Sequence, residues 1–91
     1  MKIVPMCSPR SGRPVPNQNM IYSPDCTVFQ SYDSVIVKTT FEDGVRVVYL
    51  DEKYWDYSVT TRKYRNLFLG ENSGDVKRKV ESGEYRLTDL N

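Results

Sequence analysis

Residues 35–50 read Val-Ile-Val-Lys-Thr-Thr-Phe-Glu-Asp-Gly-Val-Arg-Val-Val-Tyr-Leu and contain the clearest structural signal of the sequence. An Asp-Gly pair between alternating apolar residues is a strong signal for a two-residue hairpin turn, because both turn positions need positive φ. With Asp43-Gly44 as the turn, Glu42 faces Val45. A slip by one residue would bury charged side chains, so the pattern fixes the register. The predicted core face carries Val35, Val37, Thr39, Phe41, Val48 and Leu50.

Upstream of this hairpin the sequence predicts an arm followed by a second hairpin. Four prolines in residues 1–16 remove backbone donors and favour extended geometry, so we predict a proline-rich N-terminal arm there. A short edge strand at residues 3–4 remains open within it. Short apolar runs on both sides of the turn Ser23-Pro24-Asp25 predict the second hairpin. The single folded domain is therefore expected to span residues 17–91.

Downstream of residue 57 the hydrophobic period changes to that of a helix. Ser58 or Thr60 can cap the start of this helix, and Gly70 can end it. Its predicted buried stripe carries Tyr64, Leu67 and Phe68.

A second short helix is predicted to begin at Asn72 or Ser73 and to end at Gly83, with Val76 and Val80 on one side. Helices this short are marginal in water on their own, so both must pack on the sheet. The expected fold class is α+β. We predict an antiparallel sheet of about four strands with two short C-terminal helices on one face.

Composition and charge exclude several classes of protein. Ninety-one residues suit one domain, and thirteen basic against twelve acidic side chains give a net charge of +1. The total therefore indicates neither a strongly basic nucleic-acid binder nor an acidic mimic of nucleic acid, although residues 21–57 carry −4. No apolar run approaches the roughly 20 residues of a membrane span, and no secretory signal is present, so we expect a cytoplasmic protein without membrane contact.

The chemistry of the side chains argues against catalysis. The chain contains no histidine, which removes the commonest general base and the commonest zinc ligand. Cys7 and Cys26 are expected to be reduced thiols. Cys7 and Arg13 match the spacing of a phosphatase loop, but Pro14 and Pro16 follow where that loop needs a helix. We predict no enzyme activity, no metal and no cofactor.

The most suggestive polar group lies at the start of the first predicted helix. Hydroxyls and free helix-start amides lie there beside cations, with no acid in the first turn, and aromatic residues precede them. Such a group can hold phosphate, stack bases or anchor a protein interface. A helical projection places Arg62 and Arg65 away from the buried stripe. The candidate binding residues are Trp55, Tyr57, Ser58, Thr60, Thr61, Arg62, Lys63 and Arg65. The alternative is that the hydroxyls cap the helix, the cations are solvated and the aromatics fill the corner between helix and sheet.

Two blocks of the sequence resemble a known family. They read Phe-Gln-Ser-Tyr-Asp-Ser-Val-Ile at residues 29–36 and Tyr-Trp-Asp-Tyr-Ser-Val-Thr-Thr-Arg-Lys-Tyr-Arg-Asn-Leu-Phe-Leu at residues 54–69. With shorter stretches at 9–12, 15–18 and 83–87, they resemble short uncharacterised proteins of bacteriophages, prophages and mobile elements in gut-type bacteria. The resemblance implies such an origin and a bacterial host cell, and it carries no activity or catalytic residue.

By analogy with small accessory phage proteins, we expect stoichiometric binding to a host protein. The expected target is a host defence or nucleic-acid-processing protein, as for an anti-CRISPR or another anti-defence inhibitor. The alternative is direct binding of single-stranded nucleic acid or a nucleotide through the aromatic and basic residues of the helix start. The sequence leaves a homodimer open.

Overall fold

A computed structural model describes all residues, 1–91, as one six-stranded sheet with two helices. The strands are β1 (Lys2–Cys7), β2 (Pro14–Tyr22), β3 (Cys26–Ser31), β4 (Ser34–Glu42), β5 (Val45–Asp51) and β6 (Tyr85–Thr88). The helices are α1 (Val59–Leu69) and α2 (Ser73–Ser82). Neither helix is long and apolar enough to cross a membrane.

The strands lie in the sheet in the order of the chain. β1 to β5 form an antiparallel meander, and β6 pairs in parallel with β5. A parallel pair needs a long crossover, which α1 and α2 provide. The predicted α+β class is confirmed, but the sheet has six strands where the sequence predicted about four.

The two additional strands lie at opposite edges of the sheet. Residues 1–16, predicted as a proline-rich arm, contain β1 and the first residues of β2. Their prolines are tolerated because Pro5 is on an edge strand, and Pro14 and Pro16 precede Gln18, where pairing of β2 with β3 begins. The prolines therefore leave few backbone acceptors of the sheet without a donor.

The predicted β4–β5 hairpin is confirmed residue for residue. Glu42 pairs with Val45 across the Asp43-Gly44 turn, whose two residues have φ of 53° and 79°. The assignment of Phe41 to the core is wrong, because its side chain is 70% exposed. Phe41 lies opposite Arg46 next to the turn, beyond the part of the sheet that the helices cover.

Both helices begin and end where the sequence predicted. Ser58 caps α1 and Asn72 caps α2, and left-handed glycines at 70 and 83 end them. The stripe of α1 differs from the prediction, because Leu67 is 44% exposed. The buried residues of α1 are Thr61, Tyr64, Arg65 and Leu69.

The hydrophobic core lies between the helices and one face of the sheet. Phe29 is fully buried at its centre, and its ring stacks on Phe68 with 5.9 Å between centroids. The buried core cluster consists of Met6, Phe29, Ile36, Val37, Val48, Leu50, Tyr64, Leu69, Val76 and Tyr85.

A buried carboxylate anchors the C-terminal tail on the other side of the sheet. Asp51 is 1% exposed and accepts hydrogen bonds from the backbone N–H of Leu90 (2.9 Å), Tyr54 (2.9 Å) and Lys53 (3.1 Å). Burial by itself raises the pKa of Asp51, but these backbone hydrogen bonds outweigh it and hold the pKa below its usual value. The ionised form therefore stabilises the fold.

We expect Asp51→Asn to lower the free energy of unfolding by about 1–3 kcal/mol at pH 7, because an amide cannot accept with both of its atoms and leaves a buried N–H unpaired. Because the folded pKa of Asp51 is depressed, the contribution is complete above the unfolded value of about 3.9 and is lost as pH falls through the folded value. Urea denaturation from pH 3 to pH 7 should show that the difference in free energy of unfolding between Asp51→Asn and wild type becomes smaller below about pH 4. Glu52→Gln, at an exposed neighbour, is the control. A difference in free energy of unfolding that is as large at pH 3 as at pH 7 would contradict this role of the carboxylate.

Candidate functional site

A pocket of about 450 Å³ lies at the start of α1, where the β3–β4 turn meets the loop that precedes the helix. We call it the tyrosine pocket. Its lining residues are Ser31, Tyr32, Asp33, Ser34, Ile36, Tyr54, Tyr57 and Thr61. They come from the two sequence blocks 29–36 and 54–69, which are separate in the chain and are brought together by the fold.

A chain of hydroxyl groups joins the sheet to the helix start beside the pocket. The Oγ of Ser58 accepts the backbone N–H of Thr61 at 3.2 Å and donates to the Oγ1 of Thr61 at 3.1 Å. That Oγ1 lies 3.1 Å from the Oγ of Ser31, which is buried. These hydroxyls are hydrogen-bonded to one another and fix α1 against β3, so their first role is structural.

Tyr32 forms one rim of the pocket in a strained backbone conformation. Its φ is 55°, in the left-handed region, where a bulky aromatic residue is an outlier that costs roughly 1 kcal/mol or more. Its N–H donates to the carbonyl oxygen of Asn17 at 2.7 Å, and its own carbonyl accepts from the Nε2 of Gln30 at 3.1 Å. The side chain is nevertheless 55% exposed. More than half of this strained residue therefore remains available to a partner.

A β-bulge shapes the inner wall. Gln30 pairs with Val35 and Phe29 pairs with Val37, so Ile36 is an extra residue in β4. A bulge changes the direction of a side chain relative to the sheet. Here it allows Ile36 and Val37 to be buried in succession, and Ile36 lines the pocket.

The other rim is aromatic as well. Tyr57 is 70% exposed and meets Tyr54 edge to face, with 5.4 Å between ring centroids. Large aromatic side chains that remain exposed beside a concave surface are typical of binding sites for proteins or for stacked bases.

One predicted binding residue, Arg65, is fully buried, so its assignment to the exposed face is wrong. Its guanidinium donates to the carbonyl oxygen of Trp55 at 2.7 Å and forms an ion pair with Asp56 at 3.3 Å. It also donates to the side chains of Asn66 and Ser73. Burial lowers the pKa of Arg65, and the hydrogen bond to Asp56 acts in the opposite direction.

The loop before α1 explains this error. The helical projection considered only the side of α1 that faces the sheet. In the structure Trp55 and Asp56 lie against a second side of the helix, and the ring of Trp55 is 5.5 Å from the guanidinium carbon of Arg65. Trp55 is half-buried against the core and is thus part of the corner between helix and sheet.

The remaining predicted residues are divided between the pocket and the solvent. Tyr57 and Thr61 line the pocket, and Ser58 supports it through Thr61. Arg62 is half-exposed with its Nη1 3.8 Å from Asp56. The exposed outer surface of α1 carries Thr60 and Lys63.

Sequence reasoning missed most of the pocket, which includes Tyr32, Asp33 and Ser34 of the β3–β4 turn. The available signal was the break in the apolar pattern at Asp33-Ser34, directly after an aromatic residue. No spacing rule connects that turn to a helix start more than twenty residues later, because only the folded sheet brings them together.

The tyrosine pocket is lined by hydroxyl groups, aromatic rings and one carboxylate. Its hydroxyls have no imidazole partner, since the chain lacks histidine. No group of three or more histidine, cysteine, aspartate or glutamate side chains is placed to hold a metal ion. Cys7 and Cys26 are free thiols away from the pocket.

The chain belongs to a family of unknown function (DUF8033), whose sequence model matches residues 1–84. The match confirms the predicted membership of an uncharacterised family, and it includes every residue of the tyrosine pocket. No curated protein and no solved structure matches the chain.

Proposed function

We propose that this protein acts by stoichiometric binding of a partner protein through the tyrosine pocket and its rim. The observation that carries the proposal is Tyr32, an exposed aromatic residue on a strained backbone. Selection for stability alone favours glycine or asparagine at such a position. A tyrosine there is explained by a use of its ring outside the fold, and tyrosine is among the residues enriched at the centres of protein interfaces.

The surroundings of Tyr32 support an interface. Tyr57 and Val59 are 70% and 73% exposed, and they lie close in sequence at the start of α1. Tyr32 and Tyr57 supply aromatic area around a concave centre that is lined by hydroxyls, and Val59 adds an exposed apolar side chain two residues further along the chain. This combination of apolar anchors with polar groups is the usual composition of a specific interface.

The alternative function is binding of single-stranded nucleic acid or a nucleotide. Exposed tyrosines can stack on bases, and the first turn of α1 carries no acid. The cationic part of that hypothesis is weakened, because Arg65 is buried and Arg62 lies near Asp56. Only Lys63 remains as an exposed cation without an acidic partner at the helix start. We therefore favour a protein partner.

We propose a bacterial host defence or nucleic-acid-processing protein as that partner, with the chain acting in the host cytoplasm as a phage or mobile-element product. The support is the resemblance of its two sequence blocks to phage and prophage proteins, together with the small size typical of inhibitors that occupy a surface. An enzyme is disfavoured by the residue types of the pocket.

The experiment is capture of partners from a bacterial host lysate by the tagged protein, in parallel with the double variant Tyr32→Asn with Tyr57→Ser. We expect wild type to retain a protein at one-to-one stoichiometry after nuclease treatment, and the double variant to lose at least about tenfold in affinity, since two aromatic anchors are removed. Titration of the purified partner by calorimetry measures both quantities.

Tyr22→Ser is the matched control, because Tyr22 is also partly exposed. It is the last residue of β2, whereas Tyr32 is hydrogen-bonded to Asn17 near the start of that strand. The affinity of Tyr22→Ser should equal that of wild type. Capture that disappears with nuclease, with an affinity that falls steeply as salt rises, would favour the nucleic-acid function instead. Equal binding by wild type and the double variant would contradict the pocket as the binding site.

A further inference from the structure

The tyrosine pocket is negatively charged, although the start of a helix by itself favours anions. Three tyrosines and the carboxylate of Asp33 line it, and no lysine or arginine does. Aromatic faces and a carboxylate both attract cations. We propose that the pocket receives the side chain of an arginine on the partner protein. The proposal rests on the proposed function and names the group that the partner inserts.

The dimensions fit a guanidinium. The pocket of about 450 Å³ exceeds the volume of one long side chain, and it is open to solvent between the rims at Tyr32 and Tyr57. A guanidinium is planar and stacks on an aromatic ring while its edge donates two parallel hydrogen bonds to a carboxylate. Asp33, next to Tyr32 in the turn, is exposed and has no ion-pair partner in the structure.

The cations close in sequence to the pocket residues each contact a ring or a carboxylate, and one of these rings, that of Tyr54, belongs to the pocket. The Nζ of Lys53 lies 5.4 Å from the centre of the Tyr54 ring, and the Nζ of Lys63 lies 5.5 Å from that of Tyr64. Arg62 is directed to Asp56. The rings of Tyr32 and Tyr57 have no cation over them and are available to a partner.

The helix start does not reverse this preference. The positive end of α1 favours anions, but part of its first turn is already satisfied. The side chain of Ser58 accepts the N–H of Thr61, which is one of the amides without a partner inside the helix. The pocket itself carries one formal negative charge, from Asp33, and no positive charge. Proteins that handle nucleic acids hold phosphates with arginine and lysine, so the proposed class of partner exposes such side chains.

The test uses three acetylated and amidated tripeptides, Gly-Arg-Gly, Gly-Lys-Gly and Gly-citrulline-Gly, added to the full-length 15N-labelled protein. Citrulline has the shape of arginine without its charge. We expect saturable shifts of the backbone amide signals of residues 31–34, 57 and 61 with the arginine peptide, with a dissociation constant on the order of 1–10 mM for so small a ligand. The lysine peptide should bind several-fold more weakly, and the citrulline peptide should give no saturable shift.

Asp33→Asn should lower the affinity for the arginine peptide about fivefold to tenfold, because the hydrogen bonds to the guanidinium then lack the negative charge of the acceptor. Asp25→Asn is the matched control, since it removes the same charge from an exposed turn at the opposite end of β3. Heat denaturation of each variant shows that both remain folded.

Equal shifts with the citrulline and arginine peptides would overturn the proposal, as would saturable shifts at these residues with inorganic phosphate or AMP but not with the arginine peptide. The proposed function fails separately. If the captured partner needs Tyr32 and Tyr57 but binds Asp33→Asn as tightly as wild type, the proposed interface is supported and the insertion of an arginine is contradicted. If the partner binds the double variant at positions 32 and 57 as tightly as wild type while the arginine peptide still binds, the pocket binds a cation but is not the binding site of the partner.

Discussion

Replacement of Arg65 by alanine should lower the free energy of unfolding by about 3 kcal/mol or more, because it leaves a cavity in place of a fully buried side chain and leaves the surrounding hydrogen-bond acceptors unpaired. The guanidinium is completely buried and donates hydrogen bonds to four acceptors. Two of them, the carbonyl oxygen of Trp55 and the carboxylate of Asp56, belong to the loop before α1. The guanidinium also joins Asn66 of α1 to Ser73 of α2. Arg65 therefore ties together both helices and the loop that carries Tyr57.

Arg62→Ala is the matched control for this loss. Arg62 lies one turn earlier on the same helix, is half-exposed and pairs with the same carboxylate at 3.8 Å. A solvent-exposed ion pair contributes about 0–1 kcal/mol, so chemical denaturation should show a shift below 1 kcal/mol for Arg62→Ala. If the two variants were equally stable, the buried position of Arg65 would be incorrect and the helical projection from the sequence would be right.

Phe29→Ala should cost about 3–5 kcal/mol, the usual range for truncation of a fully buried phenylalanine. The side chain of Phe29 is 0% exposed, stacks on Phe68 and lies on the sheet beside Val37. Its removal leaves a cavity between β3 and α1 that the rigid sheet cannot close. Urea melts of the purified variant measure the loss directly.

Phe41→Ala provides the contrast for Phe29. The sequence predicts both residues to be apolar strand positions, but Phe41 is 70% exposed, so its truncation should change stability by no more than about 0.5 kcal/mol. Similar losses for the two variants would mean that the helices cover more of the sheet than the structure shows.

Local sequence signals predicted the elements whose determinants are local. The Asp43-Gly44 turn fixed the register of β4 and β5, and Ser58, Asn72 and two glycines fixed the ends of the helices. Each of these depends on residues within a few positions of one another, where backbone preference and capping act directly.

The sequence did not predict features that depend on distant segments. The parallel pairing of β6 with β5 requires the crossover through both helices, and Val48 meets Tyr85 only in the folded sheet. The burial of Arg65 depends on a loop that lies against a side of α1 that looks polar in projection. For the same reason only two of the eight predicted site residues, Tyr57 and Thr61, line the pocket.

The most direct test of the binding surface is a paired measurement on the single variant Tyr32→Asn, in which thermal stability and affinity for the captured partner are determined on the same preparation. Asparagine tolerates a positive φ, so we expect stability equal to that of wild type or higher by up to about 1 kcal/mol. We also expect a clear loss of affinity, because the exposed ring is gone. Unchanged affinity, or a loss of stability that accounts for the weaker binding, would contradict the claim that Tyr32 is there to bind.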